Sequence, residues 1–199
     1  MDSETLSPSD ASGHQRVPAQ PADEAAPNPA LPRIERARPE DADALVALRD
    51  AAARWQASRG YQAWRPGGLD AAHFLARIAA GEVYLARHGG GLAGAYELWW
   101  EDVATWGRPE EPSGYVHRLM VNRELAPPGY GAVLLRDAER RITAPPPEGA
   151  GLRVARLDCV SGNDRLCRYY VEQGYTVVGE QPFEDGSKYP VTLLEKRFG

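Results

Sequence analysis

A chain of 199 residues, 43% of them hydrophobic, can fold as one domain with a proper core, and no apolar run in it approaches membrane-spanning length. A net charge of −5 and a pI near 5.4 argue against a broad nucleic-acid-binding face, although arginines gather between residues 136 and 168. The two cysteines, Cys159 and Cys167, have no metal-ligand spacing and suggest no disulfide scaffold, so reduced thiols, no bound metal and a cytoplasmic location are the expectation.

The chain opens MDSETLSPSD, acidic and polar where a secretory signal is basic and then apolar. Residues 1 to 33 are rich in Pro, Ala, Ser and Asp, and after Met1 their only large aliphatics are Leu6, Val17 and Leu31. Such a segment buries too little apolar surface to offset the entropy of ordering, which predicts a flexible tail or one that packs on a neighbouring subunit of a homodimer. Residues 34 to 199 are expected to form a single domain.

Ile34 to Ala37 predicts a first strand. Pro39 then begins a helix through Ala57, with Ala44, Leu45, Leu48, Ala52 and Trp55 on one face. Gly60 stops it, Tyr61, Trp64, Pro66, Gly67 and Gly68 form an aromatic loop, and a second helix runs from a cap at Asp70 to Ala80. Glu82–Arg87 and Leu92–Glu101 read as strands joined through His88-Gly89-Gly90-Gly91, a strong hairpin signal because glycine takes positive φ cheaply. Asp102 to Ser113, with Trp106 and Pro109, reads as a long connection overhanging the sheet end.

Gly114 to Arg141 carries most of the functional signal. Tyr115, Val116, Leu119, Met120 and Val121 make a short apolar strand, and from Gly131 onward Val133, Leu134, Leu135, Ala138 and Ile142 recur at helical spacing. Between them lie Gly129 and Gly131. Backbone there can approach a ligand closely, and the unpaired amides of the helix's first turn, with its dipole, suit an anion. Neither a P-loop lysine nor the third glycine of a dinucleotide fingerprint is present. Ala144 to Gly149 reads as a stiff surface linker. Arg153–Val160 follows as a strand, Asn163 to Gln173 as a short helix ending at Gly174, a strand starts at Tyr175, and Val191–Phe198 closes the chain.

The Gly129-x-Gly131 turn resembles the pyrophosphate loop of the GNAT superfamily of N-acyltransferases, whose pattern is Gln or Arg, two residues, Gly, any residue, then Gly or Ala. The stretch Asn163 to Tyr175, in which an Asn opens a helix and the pair Tyr169-Tyr170 precedes Gly174-Tyr175, resembles the family's second signature. The resemblance covers roughly Ile34 to Phe198. It implies an α+β fold, with a mixed, mostly antiparallel sheet of seven strands, a central splay and about four helices, consistent with the pattern of elements. This chain departs from the family where Ala126 stands at the Gln/Arg position, followed by Pro127 and Pro128. Each proline lacks an N–H, so fewer donors face a pyrophosphate. Amides of Gly129, Tyr130, Gly131 and Ala132 remain, and Arg136 or Arg168 can add charge.

What the resemblance implies for chemistry is direct attack of an amine on an acyl-pantetheine thioester threaded through the splay. Acetyl-CoA or another acyl-CoA would be the co-substrate and a small-molecule primary amine the acceptor. Leu119, Met120 and Val121 then border the thioester, with a backbone N–H near Met120 or Val121 for the oxyanion, and Asn163 bonds pantetheine. Tyr170 would protonate the leaving thiolate. For the base, the imidazole of His117 on the central strand is the leading candidate, and Glu97 on the neighbouring strand competes with it. Each has a plainer reading: a packed tyrosine, a satisfied strand histidine, an Asn that only caps a helix. Trp55, Tyr61 and Trp64 fall on the family's acceptor side, and Glu97, Glu101, Asp102, Glu110 and Glu111 near it suit a cationic, partly apolar acceptor. The thinned loop keeps open two alternatives: a biosynthetic acyltransferase fed by phosphopantetheine on an acyl-carrier protein, and a family member that binds a ligand without catalysis.

Overall fold

The computed structural model describes residues 33–61, 64–184, 186 and 188–199; the N-terminal tail read from the sequence, apart from Arg33, lies outside them. The strands are β1 (Ile34–Arg36), β2 (Val83–His88), β3 (Gly91–Trp99), β4 (Gly114–Val121), β5 (Val154–Val160), β6 (Thr176–Gln181) and β7 (Val191–Arg197). They form one sheet in the order β1-β2-β3-β4-β5-β7-β6. Every pairing is antiparallel except that of β4 with β5.

Helices cover both faces. On one, α1 (Ala42–Ser58) and α2 (Ala71–Ala79) bury Leu45, Leu48 and Phe74 against Val83, Leu85, Ala95 and Met120. On the other, α4 (Tyr130–Thr143) and α5 (Asp164–Glu172) bury Leu134, Leu135, Ile142 and Tyr170 against Tyr96, Leu98, Val116 and Leu157. The caps are those the sequence suggests: Asp70 accepts from His73 N–H at 3.1 Å and Asn163 from Leu166 N–H at 3.1 Å. Between β2 and β3, Gly89 and Gly90 take φ of 57° and 81°, the two left-handed residues of a tight hairpin.

The described residues hold five α-helices, in keeping with the expected number of about four. The extra one is α3 (Val103–Trp106), a single turn inside the stretch expected to be irregular, held because Asp102 Oδ1 accepts from Thr105 N–H at 3.1 Å. A 3-10 turn, Pro39–Asp41, also precedes α1. β3 ends at Trp99, two residues short of the expected Glu101.

Two irregularities shape the centre. In the β3–β4 ladder Ala95 pairs with Met120 and Glu97 with His117, so Tyr96 alone stands opposite both Arg118 and Leu119. This bulge in β4 turns Arg118 to φ 48°, left-handed for a residue with a side chain. Simple alternation would place Arg118 opposite His117, but with the bulge both reach the α1–α2 side of the sheet. The second irregularity is that β4 and β5 pair only at Gly114–Ala155 and Tyr115–Arg156. Beyond Tyr115 the strands part, while β5 stays paired to β7 along Val154–Val160. The sheet is therefore splayed at its middle, and the edges facing the gap have no ladder partner there.

Candidate active site

At the open end of the splay, β4 runs through Asn122–Pro128 into α4. Gly129 is the N-cap, with φ 81° and no side-chain cap bond. Here the two glycines differ in purpose. Gly129 is needed for its backbone angle, since a Cβ there would meet nothing within 4 Å, whereas at Gly131 a Cβ would lie 3.2 Å from Tyr169 Oη and 3.7 Å from Val121 Cγ2. The four expected amides divide in the same way: Tyr130 N–H is taken by Pro127 O at 3.3 Å and Ala132 N–H by Gly129 O at 3.0 Å. Gly129 and Gly131 donate to no backbone carbonyl of the described residues, so those two amides are the free donors. Arg136 and Arg168 are exposed on α4 and α5.

Tyr169 stands against the loop. Its hydroxyl is buried without a hydrogen-bond partner beside Gly131. Tyr170 is buried, 7% exposed, with its ring edge-on to those of Tyr169 and Tyr175. Burial above all, then the nearby Cys159, Tyr169 and Asp158, pushes the Tyr170 phenol well above its ordinary range, so it stays protonated. Asn163 is buried and spends its side-chain oxygen on the α5 cap.

On the α1–α2 face a cleft of about 320 Å³ is lined by Trp99, Asp102, Thr105, His117, Arg118 and Lys188, among others. His117 stacks on Trp99 with ring centroids 4.1 Å apart. Its Nε2 lies 3.2 Å from Asp102 Oδ2 but out of line for a hydrogen bond. Asp158, on the β5 side of the splay, brings a carboxylate oxygen to the same place: ligating atoms of Asp102, His117 and Asp158 lie within 4.8 Å of one another. Asp102 Oδ2, His117 Nε2 and Asp158 Oδ1 are all buried without a hydrogen-bond partner. Two carboxylate oxygens and an imidazole nitrogen, all without partners, converge there, and such a seat could hold a cation.

Glu97 stands apart from this seat. It is fully buried and its carboxylate accepts from His73 Nε2 at 3.0 Å, Trp99 Nε1 at 2.9 Å and Arg118 Nη1 at 2.8 Å. Burial raises its pKa, but those bonds and the charges of Arg118 and His73 outweigh burial and hold the carboxyl below its usual range. Through these three bonds Glu97 fastens α2, β3 and the β4 bulge together, a structural setting for a residue that the sequence places beside His117 as a base candidate. Trp55 also has a different setting: Arg123 and Arg59 lie 3.6 and 5.5 Å from its ring centroid. Trp64 faces Arg49 at 5.6 Å.

Asp158, Trp99, Tyr169 and Lys188 were not legible as site residues. Asp158 left one trace, an acid in the middle of the apolar strand RVARLDCV, where an unpaired charge is costly.

The acetyltransferase (GNAT) family model matches residues 48–175. The chain belongs to the GNAT family of acetyltransferases. It is 34% identical over 149 residues to an uncharacterized N-acetyltransferase, YesJ, of Bacillus subtilis, an alignment that covers 70% of this chain and 79% of the relative. A GNAT-family acetyltransferase structure from Listeria monocytogenes is similar at TM-score 0.61 and 26% identity, covering 83% of this chain and 94% of that one. The PaiA N-acetyltransferase of Thermoplasma acidophilum, solved in complex with coenzyme A, shares the fold at TM-score 0.63 and 19% identity, covering 83% and 98%. As a GNAT acetyltransferase the protein is an acyltransferase enzyme, and its splay, glycine loop and Asp102–His117–Asp158 cluster are carried by the same sheet. No helix among the described residues is long and apolar enough to cross a membrane.

Proposed function

We propose that this GNAT protein moves an acyl group, most simply acetyl, from coenzyme A to a primary amine by direct attack in a ternary complex. The observation that carries the reading is the splay: strands β4 and β5 part beyond Tyr115, with Gly129 and Gly131 presenting free amides at the open end and the Asp102–His117–Asp158 seat on the α1–α2 face. In this reading the pyrophosphate sits at the start of α4 and the pantetheine arm bonds the unpaired edges of β4 and β5, beside Leu119, Met120, Val121 and Asn163. The acceptor's ammonium enters the seat, where Asp102 and Asp158 attract it. His117 takes its proton, and Asp102 steadies the imidazolium that forms. The neutral amine forms a C–N bond to the thioester carbon, the C–S bond breaks, and the Tyr170 phenol gives its proton to the departing thiolate. The second nitrogen proton leaves through water, from which the phenolate regains one. Coenzyme A bound to the Thermoplasma relative supports a coenzyme A donor here.

A divalent cation is the other occupant such a seat suits. An amine is favoured because a lysine amine already stands beside it: Lys188 Nζ is 3.9 Å from Asp158 Oδ2.

The test is calorimetry of the purified protein with acetyl-CoA, followed by mass spectrometry of a panel of primary amines incubated with both. Binding and acetylation of at least one amine are expected. Absence of binding together with acyl transfer from a phosphopantetheinylated carrier protein would replace the coenzyme with the carrier as donor. Binding without consumption of any thioester would sink the catalytic reading.

A further inference from the structure

Of the 23 lysine and arginine side chains in the protein, only Lys188 and Lys196 carry a primary amine, and the structure treats the two differently. Lys196 Nζ is fully engaged: it donates to both Glu139 oxygens at 3.0 Å and to Gln173 O at 2.9 Å. Lys188 lies on the connection between β6 and β7 and lines the cleft with Asp102 and His117. Its Nζ is 3.9 Å from Asp158 Oδ2, longer than a hydrogen bond, and 5.2 Å from the centroid of the Phe183 ring, with its side chain 32% exposed. Among the described residues the amine is thus near the seat without a hydrogen bond to its carboxylates.

We propose that Lys188 is an internal acceptor, the site at which the protein acylates itself when no free amine is present. The proposal rests on the acyl-transfer reading above. A tethered amine beside the seat needs no encounter from solution, and that proximity is a large advantage over a dilute free amine. In the step, the Lys188 ammonium first gives one proton to His117. The freed Nζ lone pair forms a C–N bond to the thioester carbonyl carbon. The C–S bond breaks, the coenzyme leaves as a thiolate protonated by Tyr170, and a second proton leaves the nitrogen for water. Lysine amine and acyl thioester become an amide and a free thiol, with no oxidant or reductant involved. Once formed, the amide removes the positive charge beside Asp158.

The full-length protein is incubated with acetyl-CoA and no added amine, and its intact mass and peptides are followed in time. The expected result is a gain of one acetyl group mapping to Lys188 and not Lys196, at a rate unchanged by diluting the protein. Lys188→Arg loses that label, His117→Ala slows it, and a saturating small amine that is itself acetylated protects Lys188. Equal labelling of Lys188 and Lys196, or the same labelling after denaturation, is background chemistry and overturns the proposal. Rapid acetylation of added amines by a protein whose Lys188 stays untouched when no amine is added also overturns it, and leaves the acyltransferase function standing. If neither Lys188 nor any amine is acetylated, the acyl-transfer reading falls and the internal acceptor falls with it.

Discussion

Asp102 Oδ2 lies 3.2 Å from His117 Nε2, so the residue that caps the one-turn helix α3 also reaches the imidazole on the central strand. Burial alone would raise the Asp102 carboxyl. His117 and the Thr105 N–H outweigh burial and keep it below its ordinary range, hence ionised at neutral pH. Substituting His117→Ala is expected to lower kcat by about 10²- to 10⁴-fold, and Asp102→Asn by about tenfold, with the KM for acetyl-CoA little changed. Steady-state thiol release measures both. A rise confined to that KM would show that the pair serves donor binding instead.

Tyr170→Phe removes the buried proton donor while keeping the ring that packs on Tyr169 and Tyr175. The expected loss in kcat is about 10²-fold, with an unchanged melting temperature. Because burial holds the phenol far above its usual titration range, the wild-type rate should show no Tyr170 ionisation at mildly alkaline pH. Full activity in the Phe variant would make Tyr170 a packing residue only.

Gly131→Ala places a methyl carbon 3.2 Å from Tyr169 Oη. The hydroxyl must yield, and the close approach to a phosphate is lost with it. A rise of about tenfold in the dissociation constant for acetyl-CoA is expected, equivalent to about 1.4 kcal/mol. Removing the opposing oxygen in the double variant Gly131→Ala/Tyr169→Phe should recover part of it. Isothermal calorimetry on the single and double variants decides whether the crowding is the cause.

Glu97→Gln leaves Arg118 without its carboxylate in the buried bulge and is expected to cost about 3 kcal/mol of stability in urea unfolding at neutral pH. The sign with pH follows from the depressed carboxyl: the unfolded chain binds the proton more readily than the folded one. The contribution is therefore complete above the unfolded carboxylate pKa of about 4 and disappears as pH falls through the lower folded value. Wild type should lose stability faster than the Gln variant over that acid window. Parallel curves would place the stabilising charge elsewhere.

How far the sequence could be read depended on whether the information was local. Gly89 and Gly90 announced their hairpin, and Asp70 and Asn163 their helices, because turn and cap chemistry is decided within a few residues. The glycine loop was equally visible, though which of its amides are free was not, since that depends on where the carbonyls of Pro127 and Gly129 point. The β4 bulge was hidden because Arg118 is an ordinary residue in an ordinary strand pattern, and only the register with Tyr96 forces it left-handed. That one extra residue explains why Glu97 and Arg118 meet. Helix α3 was missed among prolines and tryptophans that read as loop. Asp158 joins Asp102 and His117 across the splay, a juxtaposition that spacing along the chain does not encode.

The parting of β4 and β5 also bears on mechanics. Through the sheet, β5, β6 and β7 are joined to β1–β4 by only two backbone pairs, at Gly114–Ala155 and Tyr115–Arg156, so the two halves are hinged at one end like the leaves of a book. A pantetheine arm that bonds both facing edges acts as an eighth, non-peptide strand that closes the book. Deuterium uptake at the facing amides of β4 and β5 should then slow together on loading with acetyl-CoA, while the outer strands β1 and β6 exchange as before.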